Sequence, residues 1–567
     1  MQKKNRVFAC ALALTALLAG CGNTSTPTSS STGNGTPSGD ISEPVTQAVT
    51  NSEAITLETV TLSAGDLVGF KEDGVYNFKG IPYATAERFQ APVPVTEYEG
   101  GTRMALAYGP VSPQNRTLSA EAEVNVVEIM TPSNGTADMV GNETCQYLNV
   151  WTDNLQAKKP VIVFFHGGGL TSGASSELST YAGEYFAASE DAVFVSVNHR
   201  LNILGFLDLS EYGSEYENSM LAGLQDCIVA LQWVQDNIAS FGGDPENVTI
   251  VGQSGGGHKV TALACMPETV GLFDKVASMS GYYDYRSPED SRANTQLLVD
   301  YLGLSRDEVV PTLTSMSYEE LYNAYTQAGC NFDYAAYGNS LLETPLLDEN
   351  GNLNQYAAQR TWMMGTVYGE GGGSNGMFLT ILNNQDYYLP DIDEAKATQR
   401  LNELYGDNAE QIIRLYKEAY PDHPLPEALF VCNNSSMISR GQLVNRENGM
   451  LNRLNAAGLD VYNYVVGYTM PYFGGVTMAH TGDMPFWFNS LDTVRYMVKG
   501  DEENAYRVAQ EMADSLTAFA TTGNPSISGL DWTPYTSDTH NTMVFDVNSA
   551  CKTAYDEELL TLMLQGN

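Results

Sequence analysis

The sequence predicts an α/β fold: a central, mostly parallel sheet with helices on both faces. Three observations predict it. Val161-Ile162-Val163-Phe164-Phe165 and Ala192-Val193-Phe194-Val195-Ser196-Val197 are continuous apolar runs, as strands buried on both faces require. Met220 to Ser240 sets Leu224, Ile228, Leu231, Val234 and Ile238 at helical spacing. Strand-like and helix-like segments then alternate along the chain, which calls for parallel strands joined by crossover helices.

Length and charge narrow the reading. The chain has 567 residues, 43% hydrophobic and 17% charged, enough to bury a large core. It carries 28 Lys and Arg against 68 Asp and Glu, a formal net charge of −40. Such a surface repels phosphate backbones, so no nucleic-acid partner is expected. It suits the solvated surface of an exported protein, although charge does not set the fold. Beyond the first twenty residues no apolar run is long enough to span a bilayer.

The start of the chain reads as an address. Lys3, Lys4 and Arg6 precede an apolar stretch, Val7 to Leu18, that is too short for the usual membrane span. Leu18-Ala19-Gly20-Cys21 resembles the lipobox of bacterial lipoproteins, which implies that Cys21 is acylated after cleavage. An ordinary signal peptide with an incidental cysteine is the alternative. Gly22 to Gly39 contains only Gly, Asn, Thr, Ser and Pro, and such a composition behaves as a flexible tether. The expected layout is a signal peptide over 1–20, a lipidated cysteine and linker over 21–54, and one large domain over 55–567. Cleavage would leave a net charge of −43. The expected location is the outer face of a membrane.

Apart from Cys10 and Cys21, the cysteines are Cys145, Cys227, Cys265, Cys330, Cys432 and Cys551. They are scattered, without the close pairs of metal or redox motifs, and mostly buried free thiols are the preferred reading. No metal or cofactor is expected. Within the body, Phe241-Gly242-Gly243-Asp244-Pro245 ends the helix that began at Met220. Val248-Thr249-Ile250-Val251, Val276 to Met279 and Val461 to Val466 read as further strands.

The chemistry concentrates after two of these strands. Gly252-Gln253-Ser254-Gly255-Gly256 places Gly-x-Ser-x-Gly between a strand and a helix, the context of a nucleophile elbow. Side chains at Gly252 and Gly256 would clash in so sharp a turn, which lifts the Ser254 hydroxyl above the sheet. A hydroxyl needs a base, the base an orienting carboxylate, and the developing oxyanion a set of donors. His166-Gly167-Gly168-Gly169, directly after a buried strand, fits an oxyanion loop, since glycines let N–H groups face a cavity.

With these motifs the chain resembles the type-B carboxylesterase family of α/β-hydrolases from about Val75 to Phe545. Phe78-Lys79-Gly80-Ile81-Pro82-Tyr83-Ala84 and Arg88-Phe89 are similar to the family's opening motif, and Glu143 to Trp151 to its second signature. Asn198-His199-Arg200-Leu201 with Gly205-Phe206 is similar to the third, and Ala518-Phe519-Ala520, Gly523-Asn524-Pro525 and Trp532-Thr533-Pro534-Tyr535 to the C-terminal end. The resemblance implies an ester hydrolase acting on small-molecule esters through an acyl-enzyme. It implies that Glu370, in Gly369-Glu370-Gly371, orients the base, and that His480, in Ala479-His480-Thr481-Gly482-Asp483, is the base. Among six histidines, His480 alone is both late in the chain and placed after a strand, as the order Ser, acid, His demands. The resemblance further implies oxyanion donors at Gly168, Gly169 and Gly255, a supporting role for Ser280 beside the triad acid, and a buried ion pair between Arg88 and Glu143.

The chain departs from the family pattern at several positions. Gln253 stands where the family usually has Glu, Gly255 where it has Ala, with the promise of a more mobile backbone, and Gly369 where it has Asp. Gly371-Gly372-Gly373 predicts a loose acid loop. Cys145 matches a position bridged in many relatives, but Ser112 stands where its partner is expected, so no bridge is predicted. Tyr282, Tyr283, Phe378, Tyr472 and Phe473 are candidates for an apolar gorge, and core packing explains them equally well. A non-catalytic binding protein on this scaffold, and an amidase or thioesterase using the same site, are the competing functions; oligomeric state is not encoded legibly.

Overall fold

Thirteen strands form one sheet in the structure, a computed structural model that describes residues 55–114, 139–370, 392–432, 434–444, 449–471 and 475–565. The signal peptide, Cys21, the linker, Phe378, Tyr472, Phe473 and the glycine run 371–373 lie outside the described residues. The strands are β1 Thr56–Leu62, β2 Gly65–Glu72, β3 Val75–Pro82, β4 Thr102–Met104, β5 Tyr147–Thr152, β6 Lys159–Phe165 and β7 Val193–Val197. They continue with β8 Gly243–Gln253, β9 Lys275–Met279, β10 Thr361–Val367, β11 Val461–Val466, β12 Asn541–Phe545 and β13 Ala550–Thr553. Their spatial order is β1-β2-β3-β5-β7-β6-β8-β9-β10-β11-β12-β13, with β4 beside β2.

From β7 to β12 every neighbouring pair is parallel, while β1, β2, β3, β5 and β13 close the two ends antiparallel. The apolar runs explain this. Val161, Val163 and Phe165 of β6, with Val193, Val195 and Val197 of β7, enter one core, and Ile162, Phe164 and Phe194 enter the other. Alternate residues of one strand face opposite sides of the sheet, so both faces must be covered. The helix Ala222–Asn237 covers the first with Leu224, Ile228 and Leu231, and the helix Glu502–Thr522 the second with Val508, Met512, Leu516 and Phe519. Each such side chain, fully buried, contributes about 1.5–3 kcal/mol.

The observed elements lie close to the expected ones. Gly242 ends the helical stretch in the left-handed region, φ 77°. The strand after it begins earlier than its apolar run, at Gly243, with a register shift before Val248. Arg200 and Asp226 form a buried ion pair, Nη2 to Oδ1 2.7 Å and Nε to Oδ2 2.9 Å, tying the chain after β7 to the covering helix. The pair of Arg88 and Glu143 forms, but it is only half-buried, with 35% of the Glu143 side chain exposed. Arg88 also donates to the Leu313 carbonyl at 3.0 Å and so stitches the N-terminal strands to the helix Arg306–Ser315. All six described cysteines are free thiols, and Cys145 is buried. No helix among the described residues is long and apolar enough to cross a membrane.

One buried histidine supports the carboxyl end of β10. His423 lies between Glu427, 2.7 Å from Nδ1, and Asp546, 2.6 Å from Nε2, and its ring meets Tyr368 edge-on at 5.5 Å. Burial opposes its charge, but the two carboxylates outweigh burial and raise its pKa to about 10. A histidine raised above its unfolded value of about 6.5 stabilises fully below that pH and loses the contribution as pH rises toward the folded value. The melting temperature of the wild type is therefore expected to fall between pH 7 and 10. His423→Gln should lower it at pH 6 and flatten the slope, as read by thermal unfolding of both proteins across that range.

Candidate active site

Parallel strands put their carboxyl ends on one edge, and open α/β sheets place their sites there. The segments after β6, β8, β9 and β10, and the chain that continues from β11, supply Gly168, Gly169, Ser254, Gly255, Ser280, Glu370 and His480, and Gln253 ends β8. Ser254 sits between β8 and the helix Gly255–Ala264 with φ 57° and ψ −121°, a strained conformation for a residue with a Cβ. Its N–H donates to the Met279 carbonyl at 2.8 Å, and Ser280 N–H donates to Gly365 at 2.8 Å, so the ladder runs on past the strand ends.

Close backbone contact dictates the glycines. A Cβ on Gly252 would lie 2.1 Å from the Gly256 carbonyl oxygen, and one on Gly256 2.0 Å from that of Phe165. Gly168 and Gly169 adopt left-handed φ values of 85° and 62°. Gly255 is buried rather than mobile: a Cβ there would lie 2.1 Å from the Gly169 carbonyl oxygen. The oxyanion loop thus rests directly on the first residue of the nucleophile helix. An alanine at this position would push the two apart.

The structure brings His480 and Glu370 together, Nδ1 to Oε2 2.6 Å. Gly369 N–H donates to the Met478 carbonyl at 2.8 Å and pairs as a parallel bridge with Ala479, which sets the two side chains beside each other. The expected looseness does not reach the acid. Val367 N–H donates to Glu370 Oε1 at 2.9 Å. Burial opposes the Glu370 charge, but His480 and these donors outweigh it and hold the carboxyl below its ordinary value. The Ser280 hydroxyl helps to lower it without closing a full hydrogen bond. His480 responds reciprocally: burial lowers it, and Glu370, seconded by Asp483, raises it above 6.5 overall.

The bond to Glu370 keeps the neutral ring's proton on Nδ1, leaving Nε2 as an acceptor. The donor to it is Gln253, whose Nε2 lies 3.3 Å away. This amide uses the lone pair that must receive the Ser254 proton, and free enzymes commonly tighten that contact only with substrate. Two residues without an assigned role join the site. Asp483 is fully buried, accepts from Trp487 Nε1 at 3.1 Å, and is pushed up to about 7 by burial and the Glu370 charge. His258 stacks on Tyr282 at 4.5 Å and lies 3.1 Å from the Tyr282 carbonyl through Nδ1, while its Nε2 accepts from Ala335 N–H at 3.0 Å. Burial brings it down to about 4, so it is a neutral clamp between two segments near the nucleophile helix. Asp483 lies three residues after His480 in the sequence, which is the signal that could have found it.

His480 must be neutral to accept a proton, so kcat/KM should rise with pH along a limb set above 6.5. Gln253→Glu would put a carboxylate against Nε2 and favour the protonated ring. We expect the limb to move up by about one pH unit or more. An unmoved pH profile in a folded variant would show that this side chain does not face the base.

With this geometry in hand, likeness to known proteins fixes the ancestry. The model of the carboxylesterase family matches residues 56–562. The para-nitrobenzyl esterase of Bacillus subtilis is 29% identical over 87% of this chain and 95% of its own length. The phenmedipham hydrolase of Pseudarthrobacter oxydans is 30% identical over 85% and 94%. Among solved structures, an esterase from anaerobic Clostridium hathewayi that can hydrolyse aliphatic aromatic polyesters superposes with a TM-score of 0.78 at 34% identity, over 91% of this chain and all of that one. Sheet order, elbow and relatives agree: the chain belongs to the carboxylesterase family, an α/β-hydrolase with an esterase's architecture.

Proposed function

We propose that the protein hydrolyses small carboxylic esters through an acyl-enzyme formed on Ser254. The observation that carries this reading is the 2.6 Å contact of His480 Nδ1 with buried Glu370, on the same sheet edge as the strained Ser254. His480 Nε2 takes the hydroxyl proton as Ser254 attacks the carbonyl, and Glu370 holds the imidazole in the right tautomer and stabilises the imidazolium. The N–H groups of Gly168, Gly169 and Gly255 bind the oxyanion; losing one such donor costs about 3–4 kcal/mol. His480 then returns its proton to the leaving alcohol and activates the water that releases the acid. The relatives named for a para-nitrobenzyl ester and for aliphatic aromatic polyesters favour esters that carry an aromatic ring as first substrates.

A panel of short-chain p-nitrophenyl esters tests this. The wild type should turn over and label with an organophosphate. Ser254→Ala should abolish both, and Glu370→Gln should lower kcat roughly 10³- to 10⁴-fold. A wild type inert to the panel and to the label would favour a binding protein on the same scaffold. Activity on matched amides or thioesters alone would favour those reactions instead.

We further propose that the enzyme is exported and tethered to the outer membrane face by lipid on Cys21. The basic start, the short apolar stretch, Leu18-Ala19-Gly20-Cys21 and the Gly/Ser/Thr/Pro spacer support it. Full-length protein should partition into the detergent phase of a cloud-point extraction, and Cys21→Ser should move it to the aqueous phase. Equal partitioning of the two would remove the anchor.

A further inference from the structure

Lys259 is the most deeply buried cation among the described residues and has no role in the triad. It lies on the nucleophile helix Gly255–Ala264 and is 0% exposed. The two cations nearest to it in depth are each paired with a carboxylate, Arg200 with Asp226 and Arg440 with Asp556. Lys259 makes no ion pair among the described residues. Its Nζ donates to the carbonyl oxygen of His166 at 2.9 Å. That carbonyl opens the oxyanion loop, and a Cβ on Gly256 would lie only 2.9 Å from it. The His166 ring in turn stacks on His199 at 4.9 Å and 7°. Burial brings the amine down to about 7, against the weaker pull of Cys227 and Glu177.

An unpaired cation in a dry interior is expensive, and a hydroxyl or amide would satisfy one carbonyl more cheaply. The position of the charge gives it a use. It lies beneath the loop that follows His166, where low dielectric makes even the partial positive charge of an amine brought down to about 7 effective.

We propose that Lys259 is a positioning residue of the oxyanion hole, fixing the His166–Gly169 loop onto the nucleophile helix and biasing it electrostatically toward the tetrahedral state. This rests on the ester-hydrolase reading, and a wild type that neither turns over p-nitrophenyl acetate nor labels with a fluorophosphonate would defeat that reading before any variant is compared.

The test compares Lys259→Met, Lys259→Gln and Lys259→Arg, each normalised by fluorophosphonate titration of Ser254 and by its unfolding temperature. Glutamine keeps a donor for the His166 carbonyl and loses the charge, while arginine keeps the charge. Expected are a fall in kcat of roughly tenfold or more for Met and Gln with KM within about twofold. Affinity for a trifluoromethyl ketone should weaken in proportion, and Arg should recover part of both. Folded Met and Gln variants with wild-type kcat and ketone affinity would overturn the proposal, as would a change confined to KM. Three variants disabled alike through loss of fold would make Lys259 a core staple and overturn it equally.

Discussion

The elbow and the oxyanion loop exist because three glycines let backbone touch backbone. The Phe165 carbonyl occupies the place of a Gly256 side chain, and Gly169 that of a Gly255 side chain. Strand β6, its glycine loop and the start of the nucleophile helix are thereby one rigid assembly. Within it Ser254 is held at positive φ, a strain of about 1–3 kcal/mol that persists only because its surroundings over-determine it. The ladder bonds from Ser254 to Met279 and from Ser280 to Gly365 pass that rigidity along the sheet edge to the strand that presents the acid.

Charge is arranged around this assembly with an evident sign. On the base side, Glu370 is ionised and favours protonated His480, while Asp483, its pKa lifted to about 7, does not add a full second negative charge at neutral pH. On the nucleophile side, Gln253 is neutral and the Lys259 amine, brought down to about 7, carries a partial positive charge beneath the oxyanion loop at neutral pH. The imidazolium and the oxyanion form in the same step, so a negative charge behind one and a positive charge behind the other favour the same transition state.

Much of this was legible in the sequence. Continuous apolar runs disclosed the doubly covered strands, since burial on both faces leaves no polar alternation, and Gly-x-Ser-x-Gly between strand and helix disclosed the elbow. Ser254 and the glycine loop came from local chemistry, whereas Glu370 needed the family likeness, because one acid among 68 Asp and Glu carries no local mark. Other features were hidden for physical reasons. The anchoring of Gly369 depends on pairing with Met478 and Ala479, more than a hundred residues away. Lys259 and Asp483 look like surface residues by type, and only burial turns them into electrostatic elements. Gly255 read as freedom, although its missing side chain is what permits contact with Gly169.

The pairing of Gly369 with the chain before His480 also explains how a triad acid can precede a run of glycines. Glu370 is held from its N-terminal side and by its partner across the site. Its backbone is fixed from behind by the Gly369 bond to Met478 and the Tyr368 N–H bond to Val466, 3.1 Å, and its carboxylate from the side by Val367 and His480. Tyr368 is in turn braced by the imidazolium of His423 between its two carboxylates. The acid is thus positioned by residues N-terminal to it and by β11's extension.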